Sequence, residues 1–142
     1  MEDFMLKEYY INEVFRKIDL NCAESVLYTA NSVYKMNLSN DSILLSSPFG
    51  GGMFIEEKCG AVTGALMVLG YIFVDENAHA TKHLKEIIHT YFEMFSSRMG
   101  SCECAPLKEM HRTKDLGCYN VIIAALDILE EVIDRFYDKK AR

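Results

Sequence analysis

Apolar residues recur at spacings of three and four over long windows of the chain and strand-like alternation is scarce, so the pattern predicts helices. A first helix is expected over residues 3–17, with Phe4, Tyr10, Ile11, Val14 and Ile18 on its apolar face. Asn21, followed three positions later by Glu24, has the form of a capping box. It starts a second helix through about Tyr34 that buries Val26, Leu27, Ala30 and Val33. Ser39 or Asn40 caps a short third helix that stops near Pro48, because the residue before a proline disfavours the α region.

Gly50-Gly51-Gly52 then reads as a turn, and Glu56-Glu57 as the acidic opening of a central helix that reaches about Phe73. Within it Gly60 and Gly64, with Ala61 and Ala65 beside them, leave a flat stripe that another backbone can approach closely. Thr81 to Arg98 forms a fifth, amphipathic helix with Leu84, Ile87, Ile88, Tyr91, Phe92 and Phe95 inward. Asp115 is placed to cap a last helix with Val121, Ile122, Ala125, Leu126, Leu129, Val132, Ile133 and Phe136 inward. Asp127, Glu130, Glu131 and Asp134 mark its solvent face. The expected fold is all-α, a compact helical bundle of five to seven helices with Ala61, Leu66, Leu69, Leu126, Leu129 and Ile133 at its centre.

Length and charge narrow the partners. With 142 residues and no low-complexity linker, residues 1–142 are expected to form a single domain. A net charge of −6 argues against a general nucleic-acid binder, since a phosphate backbone demands clustered Lys and Arg. The basic group Lys139, Lys140 and Arg142 at the C-terminus is better read as complementing a helix dipole. The longest uncharged stretch, Cys59 to Val74, is shorter than the roughly 20 residues that span a bilayer, so no membrane segment is expected. The start Met1-Glu2-Asp3-Phe4 lacks the basic and apolar run of a secretory signal, and a cytoplasmic location is the expectation. In such a reducing compartment five cysteines, an odd number, are not expected to be structural disulfides.

Those cysteines carry the candidate chemistry. Cys22, Cys59, Cys102, Cys104 and Cys118 include no C-x-x-C pair, so a shared site has to be assembled by the fold. Unrelated core cysteines are the plain alternative, because free cysteine is among the most buried residue types. Against it, Cys22 opens the Asn21-capped helix, while Cys59 and Cys118 are expected about one turn inside two others. Helix N-termini favour thiolates and the negative charge of a thiolate-bound cluster. His79 and His83 are spaced i, i+4, but without the Glu of H-E-x-x-H they read as a solvated helix start. His111, near the cysteine-rich segment, is a minor ligand candidate.

The strings Asn21-Cys22-Ala23-Glu24, Phe49-Gly50-Gly51-Gly52-Met53 and Cys59-Gly60-Ala61-Val62-Thr63-Gly64 through Gly70 resemble the C_GCAxxG_C_C family. Gly100-Ser101-Cys102-Glu103-Cys104 and Cys118-Tyr119-Asn120-Val121 match its later elements, so the resemblance runs from Asn21 to Glu131. It implies a redox-active protein, and a similar module occurs with an iron–sulfur centre in split-Soret cytochromes. No haem-attachment C-x-x-C-H is present, so the cytochrome function itself does not transfer. Carried over by position, the family cysteines are Cys22, Cys59, Cys104 and Cys118, with Cys102 an addition. The resemblance thus implies a metal site of these cysteines. Gly50, Gly51 and Gly52 read either as a backbone nest beside the cofactor or as a loop that needs positive φ, and Gly60 either as room for the cofactor or as close helix packing. An iron–sulfur cluster serving electron transfer or redox sensing ranks first. A structural zinc and a metal-free dithiol pair, such as Cys102 with Cys104, are the alternatives, as is a helical interaction module without catalysis. A redox partner protein, not identified by the sequence, and a homodimer are expected.

Overall fold

The computed structural model describes residues 5–141, and the side chains of residues 5–137. Phe4 and the side chains of Lys139, Lys140 and Arg142, named above, lie outside the described residues. Among those described there are seven α-helices and no strand: α1 Met5–Tyr9, α2 Cys22–Tyr34, α3 Asn40–Leu44, α4 Gly60–Phe73, α5 Leu84–Met99, α6 Cys104–His111 and α7 Tyr119–Ala141. A π-helical turn, Tyr10–Val14, continues α1. No described helix is long and apolar enough to cross a membrane.

The core is the meeting of α2, α4, α5 and α7. Ala61, Leu69, Leu126, Leu129 and Ile133 are wholly inaccessible, and Leu66 packs against them half-buried. Ile11 and Ile18, expected to be inward, are exposed. Glu130, expected to face solvent, is buried because its Oε1 accepts the Leu6 N–H at 2.6 Å and so satisfies an unpaired donor at the start of α1. Gly60 and Gly64 do form a flat stripe, and α2 of the same chain occupies it. A Cβ at Gly64 would lie 2.7 Å from the Ala23 carbonyl oxygen. The stripe is therefore not a face for a second copy.

Helix starts differ from expectation where a cysteine is involved. The capping box at Asn21 is present in full, and Ser39 caps α3 through the Ser42 N–H. Pro48, by contrast, lies within a 3₁₀ turn, Ser47–Phe49, that follows α3. Glu56 and Glu57 do not open α4. Glu56 has φ of 57° and Glu57 is off-helix (φ −87°, ψ −132°); Cys59 holds the N-cap. Asp115 likewise does not cap α7, whose first residue is Tyr119. It belongs to a tight turn closed by reciprocal backbone bonds between Thr113 and Gly117. The short helix α6 was not anticipated.

Candidate functional site

Four cysteines stand at four helix starts. Cys22 is the first residue of α2, Cys59 the N-cap of α4, Cys104 the first residue of α6, and Cys118 immediately precedes α7. The Cys118 carbonyl accepts the N–H groups of Val121 and Ile122, each at 3.0 Å, as the residue before a helix should. All four line one cavity of about 420 Å³. All five cysteines are free thiols.

Three local devices bring these starts together. The first is close packing: a Cβ at Gly60 would overlap the Cys22 sulfur and sit 2.7 Å from the Phe49 carbonyl oxygen, so glycine lets α4 begin against Cys22. The second is a short antiparallel pairing of residues 57–59 with residues 102–104. There Cys59 donates to the Cys102 carbonyl at 2.8 Å and Cys104 to the Glu57 carbonyl at 2.5 Å. Ion pairs Lys58–Glu103 and Lys108–Glu56 (2.9 Å) flank it. The third is the turn that feeds this pairing. Gly51, Gly52, Met53 and Phe54 take φ of 61°, 62°, 63° and 63° in succession. A Cβ at Gly52 would come within 2.8 Å of the Cys104 Cβ, so that residue must be small as well as left-handed.

Of the glycines singled out from sequence, Gly51 and Gly60 line the cavity. Gly50 and Gly52 shape its wall from behind, packed on Asn21 and Cys104. Cys102 is elsewhere. It faces a shallow surface groove with Lys58 and Phe92, and its Sγ lies 3.7 Å from the Phe92 carbonyl oxygen as a donor. The Cys102/Cys104 dithiol is therefore split between two sides of the α6 approach. His111 binds the Met99 carbonyl at 2.8 Å and does not line the cavity, while His79 and His83 are exposed near the start of α5.

Burial governs the thiols. It pushes Cys59 from an ordinary 9.0 up to about 12; the N–H groups of Val62 and Ala61 face the sulfur and oppose the rise, without closing a full capping hydrogen bond. Burial also raises Cys104, against the pull of Lys108, and raises Cys118, with Cys22 adding to it and Arg112 and Lys108 opposing. Tyr10, which lines the same cavity, is pushed up to about 12 by burial first, then by Tyr119, Cys118 and Cys22. Among the described residues no group of three or more His, Cys, Asp or Glu is placed to hold a metal ion.

Sequence reasoning missed the rest of the lining: Tyr10, Phe15 and Tyr119 on one wall, and Arg16, Lys108 and Arg112 among its charged groups. They come from separate elements at no fixed spacing. One signal was available for α6: Pro106 follows Cys104 by two residues, and proline suits the first turn of a helix.

A family model described as "Putative redox-active protein (C_GCAxxG_C_C)" matches residues 20–132, a span that includes all five cysteines. No curated protein matches the chain, and no solved structure does.

Proposed function

The chain belongs to the family described as "Putative redox-active protein (C_GCAxxG_C_C)", and from that premise we propose that Cys22, Cys59, Cys104 and Cys118 hold an iron–sulfur cluster for electron transfer or redox sensing. The observation that carries this reading is the lining of one cavity by four free cysteines, each at a different helix start. Four thiolates are the usual donor set for a 2Fe–2S or 4Fe–4S cluster. A bound cluster would supply one-electron chemistry. The chain's own contribution is to gather the sulfurs, offset their charge and limit water. Helix N-termini offset negative charge by about 0.3–1 kcal/mol each, and Lys108 and Arg112 add to that at Cys104 and Cys118.

Two features rank the alternatives lower. Zinc takes its four ligands at about 2.0–2.3 Å from a single ion, and among the described residues no group of three or more His, Cys, Asp or Glu is placed to hold one. A dithiol enzyme needs a ready thiolate, and in the metal-free form burial pushes Cys59, Cys104 and Cys118 the other way. Metal binding removes those protons as part of the binding equilibrium. A redox partner protein completes the reading.

The test is anaerobic purification followed by iron and acid-labile sulfide analysis and a visible spectrum. Bound iron and sulfide with charge-transfer absorption is the expected result. Protein that stays colourless and iron-free after anaerobic reconstitution with iron and sulfide, yet reacts fast with thiol reagents, overturns it in favour of dithiol chemistry.

A further inference from the structure

The cavity offers more than its sulfurs. Its volume, about 420 Å³, lies in the roughly 300–1,000 Å³ range of pockets that take small molecules. One wall is aromatic: Phe15 and Tyr119 have ring centroids 4.6 Å apart, with Tyr10 at 5.9 and 6.1 Å from them. The charged lining runs against the sign of the molecule. The chain carries −6, yet among the described residues Arg16, Lys108 and Arg112 line the cavity with one carboxylate, Asp19. Lys108 shares its charge with Glu56 at 2.9 Å. Arg16 lies over the Phe15 ring, 5.0 Å from its centroid, and donates to the Asp115 carbonyl at 2.6 Å, a bond that does not cancel its charge.

We propose that this cavity binds a small organic anion beside the sulfurs, its aromatic or apolar body against Tyr10, Phe15 and Tyr119 and its acidic group toward Arg16 and Arg112. The proposal deepens the redox reading by naming a ligand class for the same site, and rests on it for the ligand's purpose. Apolar area supplies attraction without selectivity, whereas the cations distinguish an anion from a neutral molecule of the same shape. The aromatic wall is formed by Tyr10 at the start of the π-helical turn, Phe15 just after it and Tyr119 at the start of α7, so a ligand seated there borders Cys118 on one side.

The probes are 8-anilinonaphthalene-1-sulfonate and its neutral counterpart N-phenyl-1-naphthylamine, titrated by fluorescence into the folded protein as purified. One sulfonate dye per chain is expected, held about tenfold more tightly than the neutral dye, the worth of one charged hydrogen bond. Arg112→Gln, an exposed position, should remove most of that advantage and leave the neutral dye unaffected. In metal-free protein the bound sulfonate should slow alkylation of Cys118 and Cys22 by iodoacetamide but not of Cys102, which locates the dye. Equal affinity for both dyes, an unchanged advantage in Arg112→Gln, or equal protection of Cys102 overturns the proposal. Iron content of the same wild-type sample is read separately, so loss of the cluster reading and loss of this one are distinct results.

Discussion

Gly60 and Gly70 lie in one helix and do opposite things. At Gly60 a methyl group would meet the Cys22 sulfur and the Phe49 carbonyl; at Gly70 it would meet nothing within 4 Å. Gly60→Ala is therefore expected to destabilise the protein by about 1–3 kcal/mol, the usual cost of overpacking. Gly70→Ala should stabilise it by up to about 1 kcal/mol through helix propensity. Urea denaturation of the two variants checks the pair, and equal effects would mean that α4 does not begin against Cys22. The sequence marks both as glycines in an apolar helix and cannot separate them, because the contact at Gly60 is made by a residue 38 positions away. Glu130 fails for the same reason: its partner, the Leu6 N–H, lies 124 positions off.

Among the elements, α2 was legible because its start is local. Asn21 Oδ1 accepts the Glu24 N–H at 3.0 Å and Glu24 Oε1 the Asn21 N–H at 2.9 Å, while Asn21 Nδ2 ties in the Ser47 carbonyl at 2.9 Å. Asn21→Ala should cost about 0.5–2 kcal/mol, read as a lowered urea midpoint; no change would mean the box contributes nothing. The starts of α4 and α7 were misplaced in the same direction, because nearby acids carry the usual capping signature while cysteine occupies the position. The turn before α4 was legible only as a glycine run. Its continuation through Met53 and Phe54 puts side chains where L-residues pay roughly 1–2 kcal/mol each. Phe54 is 76 % exposed, so Phe54→Gly should relieve that strain with little packing lost and stabilise by about 1 kcal/mol. A lowered melting temperature would contradict this.

At the scale of the whole molecule, helical periodicity was enough for the all-α class, and the family strings mark the four cysteines that line one cavity. Neither contains the cationic and aromatic lining, which exists only once α1, α6 and the approach to α7 meet. The buried acids of the site also give the metal-free protein a distinctive response to pH. Cys59 and Tyr10 have folded-state values near 12, above their ordinary 9.0 and 10.0. Between those values the unfolded chain has lost protons that the folded one keeps, so stability is retained below about pH 9 and falls as pH rises toward 12. Urea midpoints that stay flat from about pH 8 to about pH 11 would contradict the burial of both groups.

The most direct measurement of the central claim is cluster loading across single Cys→Ser variants at all five positions, with iron, sulfide and visible absorption read after anaerobic reconstitution. Substitution of Cys22, Cys59, Cys104 or Cys118 is expected to lower iron and sulfide or change the absorption bands. Cys102→Ser should load like the parent, since its sulfur faces a separate groove. Normal loading in all five variants, or loss confined to Cys102→Ser, would contradict a site built from the four cysteines of the cavity.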